Sequence, residues 1–202
     1  MLRLETRSPV SGSNGRQDAT CAPGGIMKGM RPTIAGIGIS HPGFFMKALG
    51  AAIAAARAHL DTFVKTTGGR GLHVVVPLVP KADWSECLAF ARAFAASVVR
   101  LSPALFTDQF AKIGRERKIL VDYLRNNRTN TSIAAYSTRA RPDAQVSVPL
   151  AWTELSPAKP PDRFTAVTVP QRLARLRNDP WKKYWTTRQQ IPRGAVGALE
   201  TL

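Results

Sequence analysis

The sequence is poor in the residues that build disulfide frameworks and zinc sites. It contains two cysteines in 202 residues, and Cys87 falls in an apolar helical pattern, where a thiol behaves as a small hydrophobe. We therefore expect no disulfide. The three histidines, His41, His59 and His73, are scattered, and no CxxC, HxxxH or HExxH spacing occurs. This absence excludes the common zinc motifs.

Long apolar runs are also missing. The most apolar stretch, residues 48–58, is interrupted by Arg57 and falls short of the ~20 residues that a transmembrane helix needs. The N-terminal stretch carries Arg3, Arg7 and Arg16 among Ser, Gly and Asn, without the apolar core of a secretory signal. We therefore expect a cytoplasmic protein with no membrane partner.

Acidic residues are scarce, since 13 Asp and Glu stand against 29 Lys and Arg, which gives a formal net charge of +16. Such an excess indicates a polyanionic partner, and nucleic acid fits better than an acidic membrane surface. A GC-rich gene that accumulates arginine and alanine would produce the same bias, so composition leaves that alternative open. With 44% hydrophobic residues, the chain is long enough for one domain with its own core.

The most informative stretch that is present is a basic glycine turn, KTTGGRGLH, at residues 65–73. Gly68, Gly69 and Gly71 allow positive φ and close backbone approach, so successive N–H groups can converge on an anion such as phosphate. Lys65 and Arg70 add positive charge beside it. The spacing is neither the GxxxxGK[ST] of a P-loop nor GxGxxG, so the turn alone is also compatible with a plain hairpin.

Two predicted apolar strands each carry a polar side chain that apolar packing does not explain. His73 lies at the start of the strand LHVVVPL, where a ligand on the glycine turn would contact it. The strand KILVDYL, at residues 118–124, carries Asp122. A buried carboxylate is costly unless it is paired or metal-bound. The residues alone favour an ion pair with Arg125 or Arg128 over a bound cation.

A polar loop at residues 132–144 interleaves Tyr136 with Arg139 and Arg141. This pattern suits contacts with the backbone and bases of a nucleic acid, although a lone tyrosine is more typical of packing. Arg139 and Arg141 are therefore candidate DNA-binding residues.

The rest of the chain predicts alternating helices and strands. Asp83 can cap a helix in a capping box with Glu86, and helical spacing continues to Pro103. The other expected elements are an extended segment at 31–44, a helix at 45–60, a short helix and basic turn at 106–117, strands beginning at Val146 and Phe164, and a helix at 171–177. The pattern divides the chain into a disordered tail at 1–31, a domain at 32–181 and a basic tail at 182–202.

Three motifs, in chain order, resemble one known family: KTTGGRGLHVVVPL, KILVDYLRN and AAYSTRARPDAQVSVPLAW. They resemble the polymerase domain of bacterial ATP-dependent DNA ligase D, a member of the archaeo-eukaryotic primase superfamily that serves non-homologous end joining. The resemblance covers roughly residues 60–181. It implies an α/β (α+β) fold, a mixed sheet of the primase-polymerase type flanked by helices.

The resemblance also implies an activity and its partners. The family adds nucleotides, preferentially ribonucleotides, to a DNA 3′ end with two divalent metals. This implies magnesium or manganese as cofactor, with DNA ends and a nucleoside triphosphate as partners. Other end-joining proteins and a location at the nucleoid follow from the same resemblance.

Individual residues inherit roles from the matching motifs. In the family, the glycine turn and a histidine bind the triphosphate, and Thr67 and His73 match the phosphate-holding hydroxyl and that histidine. Asp122 matches the third metal-binding carboxylate of the catalytic site, and Arg125 matches an arginine that faces the triphosphate. The implied nucleotide-binding set is Lys65, Thr67, Gly68, Gly69, Arg70, His73 and Arg125.

One part of the family's pattern is missing. Similar proteins supply two further metal-binding carboxylates from a DxD pair ahead of the glycine turn, but this sequence has no DxD and no acidic residue between Asp18 and Asp61. A single aspartate cannot hold two ions. The segment AGIGISHPG, at residues 35–43, resembles the opening of the polymerase domain. We therefore expect an internal deletion that leaves the fold incomplete at its N-terminal side.

Three functional hypotheses follow. The chain is a polymerase completed by carboxylates from another polypeptide, a catalytically silent module that binds nucleotides and nucleic acid, or a degenerate gene product. The surviving motifs favour a truncated ligase D polymerase-domain protein that binds nucleoside triphosphate and DNA ends and is inactive alone. The sequence does not decide whether it is an enzyme.

Overall fold

The structure, a computed structural model, describes residues 2–3, 60–111, 113, 118–156 and 161–201. The predicted N-terminal tail and extended segment lie outside these residues, as do the predicted helix at 45–60, except for its last residue, and most of the predicted basic turn. The strands are β1 (Leu2–Arg3), β2 (Phe63–Thr66), β3 (Leu72–Val75), β4 (Phe106–Thr107), β5 (Ile119–Leu120) and β6 (Pro149–Leu150). The α-helices are α1 (Trp84–Leu101), α2 (Thr168–Arg175) and α3 (Ala195–Glu200), and two 3-10 helices span Trp152–Glu154 and Pro161–Arg163.

The main sheet has the order β1-β3-β2-β6 and is built around the β2–β3 hairpin. Strands β3 and β6 both run antiparallel to β2, whereas β1 pairs with β3 in parallel. Lys65 lies opposite His73, and Val64 lies opposite Val74. Because side chains alternate along a strand, Lys65 and His73 share one face of the sheet and the two valines occupy the other.

Helix α1 covers the valine face of the sheet. Its predicted capping box is confirmed, because the Asp83 carboxylate accepts from the Glu86 N–H and the Glu86 carboxylate accepts from the Asp83 N–H, both at 2.8 Å. Phe90 and Phe94 on α1 belong to the same buried cluster as Val64. Among the described residues, no helix combines the length and the apolarity that crossing a bilayer requires.

A second, two-stranded sheet corrects the prediction of a short helix from residue 106. Phe106 and Ile119 pair in the parallel strands β4 and β5, and both side chains are buried. The β-favouring Phe and Thr of β4 thus form a strand because β5 offers a partner. Strand β5 ends at Leu120, so the predicted strand 118–124 is shorter than expected and Asp122 follows it.

The predicted strand that starts at Phe164 is also wrong. Only Thr165 forms an isolated bridge, to Gln145, and α2 begins at Thr168, earlier than the helix predicted at 171–177. Thr165 and Thr168 hydrogen-bond each other reciprocally through their backbone N–H and hydroxyl groups, at 2.9 and 3.2 Å. These bonds satisfy backbone donors at the start of a helix, where no intrahelical partner exists.

The segment from residue 182 onwards differs from the expected basic tail. Helix α3 packs against α1, with Leu199 fully buried, and the Arg100 guanidinium donates to the Leu199 carbonyl. The Gln189 side-chain amide exchanges two hydrogen bonds with the Asp61 backbone, at 2.8 and 2.9 Å. Among its charged residues, this segment therefore carries apolar side chains, Ala195 and Leu199, that belong to the buried core.

Replacing Leu199 with alanine tests this packing. We expect Leu199→Ala to lower the free energy of unfolding by about 2–5 kcal/mol, because it leaves a cavity between α3 and α1. Leu173→Ala is the matched control, since Leu173 is half-exposed on α2 and should change stability by less than about 0.5 kcal/mol. Urea denaturation followed by circular dichroism measures both, and equal effects would contradict the packing.

Candidate nucleotide and DNA site

The glycine turn closes the β2–β3 hairpin. The Thr67 N–H and hydroxyl both donate to the Gly71 carbonyl, at 3.0 and 3.1 Å. Gly68 has a φ of +64°, a left-handed backbone conformation that residues with a Cβ rarely adopt. The turn therefore joins the two strands of a hairpin, one of the two interpretations that the sequence allows. Gly68 has the positive φ that its lack of a side chain permits.

The loop that carries Arg139 and Arg141 lies directly over this turn. A Cβ placed on Gly68 would come within 2.6 Å of Arg139 Cγ, and one on Gly69 would lie 3.2 Å from the Arg141 guanidinium. The Arg139 guanidinium also lies 3.5 Å from the Thr67 carbonyl. The fold therefore joins the predicted phosphate-binding turn to the predicted DNA-binding arginines, which are about seventy residues apart in sequence.

Lys65 lies inside the protein. Its side chain is 1% exposed, and the ammonium donates to the Ile133 carbonyl at 2.7 Å and to Ser147 Oγ at 2.8 Å. A buried ammonium requires such partners, because removing it from water is otherwise very costly. His73, opposite Lys65 in the hairpin, is buried as well. The sequence prediction of Lys65 as a cation beside the turn did not anticipate that the ammonium anchors a neighbouring loop.

Arg70 is the most exposed cation of the turn. Its side chain is 85% exposed, and its guanidinium Nε lies 3.9 Å from Asp162. An ion pair at this distance and exposure contributes little to stability. Arg70 therefore remains able to contact an anion that approaches the turn from solvent.

Asp122 forms the ion pair with Arg125 that the residues alone favour, with Arg125 Nε 3.5 Å from the carboxylate. The same carboxylate accepts from the Leu124 N–H at 3.1 Å. Arg125 also donates to the Thr131 carbonyl at 2.9 Å. The loop at 131–133 is thus held from one side by Arg125 and from the other by Lys65.

The carboxylates that the structure describes do not fit a two-metal centre. In the part of the chain that the structure describes, no three His, Cys, Asp or Glu side chains cluster as metal ligands. Outside that part, the sequence offers only Glu5, Asp18 and Glu116 as acidic side chains. Two-metal phosphoryl transfer requires several converging carboxylates, whereas Asp122 is already paired with Arg125.

Sequence reasoning missed the hydrogen-bonded side chains beneath the site. Thr66 and Ser147 are fully buried. The Thr66 hydroxyl donates to the Val146 carbonyl at 3.0 Å and accepts from the Val148 N–H, while Ser147 Oγ donates to the Thr66 carbonyl. The alternation of apolar and polar residues in VSVP, at residues 146–149, predicts a strand. It does not predict that Ser147 contacts Lys65.

Cys87 is chemically inert in this fold. It is buried in α1, and burial, reinforced by the nearby Glu86 and Asp83, raises the pKa of its thiol to about 12. Since the thiolate is the nucleophilic form, Cys87 packs as the small hydrophobe that the sequence predicts and takes no part in the site.

The family model described as the LigD primase-polymerase domain matches residues 43–181. The chain belongs to this family. The match begins upstream of residue 60, where the motif resemblance starts, and it includes both the glycine turn and the Arg139–Arg141 loop. The fold prediction is confirmed at the level of a mixed α/β polymerase-type domain.

Two curated LigD relatives agree with this assignment. The multifunctional non-homologous end joining protein LigD of Pseudomonas aeruginosa is 42% identical over 133 residues, which are 65% of this chain and 16% of that protein. The bifunctional non-homologous end joining protein LigD of Bacillus subtilis is 30% identical over 138 residues, 68% of this chain and 22% of that protein. The LigD-like part of this chain therefore corresponds to under a quarter of either relative.

A solved LigD structure supports the fold. The polymerase domain from Mycobacterium tuberculosis ligase D, in complex with DNA, superposes with a TM-score of 0.61 at 29% sequence identity. The superposition covers 77% of this chain and 56% of that domain. The LigD polymerase fold is thus matched in part.

The two glycines of the turn should respond differently to alanine. Gly68→Ala should destabilise the protein by about 2 kcal/mol or more, because the left-handed backbone is strained with a Cβ and Arg139 Cγ blocks the added methyl. Gly69→Ala meets only the end of the flexible Arg141 side chain, and it should be neutral or stabilising by about 0.4–1 kcal/mol. Thermal and urea denaturation compare them, and equal losses would contradict this geometry.

Proposed function

We propose that this LigD-family chain binds the phosphates of a nucleoside triphosphate and of DNA ends, and that it does not add nucleotides on its own. The observation that carries the proposal is the placement of Arg139 and Arg141 over Gly68 and Gly69. This arrangement brings guanidinium groups to a turn whose backbone can approach an anion closely.

The electrostatics of the turn favour a polyphosphate. Arg70, Arg139 and Arg141 are all exposed, and the nearby carboxylate, Asp162, is only loosely paired with Arg70. Guanidinium groups bind phosphate through forked hydrogen bonds, and their planar geometry adds specificity. By family resemblance, Thr67 and His73 belong to the same nucleotide site, with Lys65 and Arg125 holding the adjacent loop at 131–133.

A DNA partner is supported by charge and by the relatives. The chain carries a net charge of +16, and the solved polymerase domain that it resembles is in complex with DNA. We therefore assign to the chain a role at DNA ends in non-homologous end joining, at the bacterial nucleoid and alongside other end-joining proteins. Phosphate contacts of this kind depend strongly on salt.

Catalysis is where this chain departs from its family. The resemblance implies magnesium or manganese, but the described residues present Asp122 without further carboxylates that converge on it. We infer that an internal deletion removed the DxD strand and joined the opening of the domain to its second half. The 56% coverage of the solved domain supports this inference, and genomic sequence with an in-frame DxD upstream of the glycine turn would refute it.

Nucleotide binding is tested with the double variant Arg139→Gln and Arg141→Gln. We expect it to weaken binding of a labelled ribonucleoside triphosphate at least tenfold, because each lost guanidinium removes charge-assisted hydrogen bonds. The matched control is Arg92→Gln and Arg175→Gln, which removes the same charge from exposed positions on α1 and α2. Equilibrium dialysis measures both affinities. Equal losses would reduce the effect to net charge and contradict a site at the turn.

Nucleotide addition is tested on a labelled DNA end with manganese and ribonucleotides. We expect no extension by the purified chain, because Asp122 is the one described carboxylate that matches the family's metal site, and one carboxylate cannot hold two ions. Extension that Asp122→Ala abolishes would show that the metal site is completed elsewhere and would overturn the proposed inactivity. Loss of both DNA and nucleotide binding in a folded protein would instead indicate a degenerate product.

A further inference from the structure

The exposed Trp185 lies at the outer end of a cluster of aromatic rings between residues 181 and 185. The Trp185 side chain is 56% exposed, and its ring meets Tyr184 edge to face at 5.0 Å between centroids. Tyr184 in turn stacks on Trp181 at 4.8 Å, with 26° between the ring planes. Of the four tryptophans, all within the described residues, Trp185 is the most exposed. The ring is therefore presented to solvent by buried neighbours.

The stack is anchored to the central hairpin. The Trp181 indole N–H donates to the Val64 carbonyl at 3.0 Å, and the Phe63 ring contacts both Trp181 and Tyr184 edge to face, at 5.8 and 5.3 Å. A platform fixed in this way loses little conformational freedom when a ligand stacks on it. Rigidity of this kind favours binding.

The sequence around the platform is rich in positive charge. Between residues 172 and 193 the sequence carries seven Lys and Arg but one acidic residue, Asp179, whose carboxylate accepts from the Trp181 N–H at 2.8 Å. The exposed cations nearest in sequence to Trp185 are Lys182, Lys183 and Arg188. Arg188 lies 3.4 Å from the Trp185 carbonyl, so its guanidinium stays beside the platform.

We propose that Trp185 and its neighbouring cations form a second binding surface, which takes single-stranded DNA. A base stacks on the Trp185 ring while the flanking phosphates contact Lys182, Lys183 and Arg188. Aromatic rings interleaved with cations are the means by which proteins bind single strands without sequence preference. The central surfaces of protein–protein interfaces are depleted in lysine, which makes a protein partner the poorer fit for this surface.

This surface is distinct from the proposed triphosphate site. The stack contacts Phe63, at the end of β2 that lies away from the glycine turn. The three residue steps between Phe63 and Thr66 correspond to roughly 10 Å along the strand. The surface therefore involves none of the residues assigned to the nucleotide, and the two proposals can fail separately.

Stacking is tested with a 12-mer of thymidylate and an abasic 12-mer that keeps the same phosphates. We expect the thymidylate strand, and not the abasic strand, to quench the intrinsic fluorescence of the wild-type chain. Trp185→Ala should weaken binding of the thymidylate strand roughly 5- to 150-fold, the range that corresponds to one stacked base, and leave binding of the abasic strand unchanged. Trp185→Phe should retain most of the affinity while losing the quenching.

The cations are tested by salt dependence. Lys182→Gln with Lys183→Gln should lower the slope of log affinity against log salt by about 1.4, since each phosphate contact on a single strand contributes ~0.7. The matched control, Lys81→Gln with Arg92→Gln, removes the same charge from exposed positions outside the surface and should leave the slope within error.

A wild-type chain that binds both strands equally without quenching would overturn the proposal, as would equal losses for both strands in Trp185→Ala. Triphosphate binding by Trp185→Ala should stay at the wild-type level, so failure here is separable from failure of the nucleotide site.

Discussion

The buried ammonium of Lys65 is the interaction on which the arrangement of the site depends. It sits between the Ile133 carbonyl and Ser147 Oγ, so the loop at 131–133 cannot move away without exposing or orphaning a charge. Arg125 holds the same loop at Thr131. The loop therefore fixes the position of the Asp122 segment relative to the glycine hairpin. The fold thus holds the Asp122 segment, the glycine hairpin and the loop at 131–133 together.

That constraint explains how distant residues meet at the turn. The Ser147 N–H donates to the Ser137 carbonyl and the Arg139 N–H donates to the Gln145 carbonyl, at 3.0 and 2.7 Å. These bonds lead the chain from the buried lysine network out to the exposed arginines above Gly68. Cationic side chains can approach the turn closely because Gly68 and Gly69 have no Cβ to exclude them. Backbone geometry and charge therefore act together at one point on the surface.

The sequence predicts local features of this fold well and long-range packing poorly. The capping box at Asp83 and the pair between Asp122 and Arg125 involve residues three apart. Spacing predicted the capping box and narrowed the partner of Asp122 to Arg125 or Arg128. The position of Lys65 depends on a carbonyl and a hydroxyl more than sixty residues away, and no local pattern carries that information. Parallel pairing of β4 with β5 and the docking of α3 on α1 were missed for the same reason. In both cases a tertiary partner overrides local propensity and charge.

The hydrogen bonds between the Gln189 side chain and the Asp61 backbone form only after most of this sequence has been synthesised. These residues are 128 positions apart, and Leu199 fills the core only after α3 has docked on α1. On the ribosome, the hairpin and α1 emerge before α3, so the apolar surface that α3 covers stays open until α3 has been synthesised. Non-local contacts of this kind slow folding relative to local ones, because loop closure precedes them.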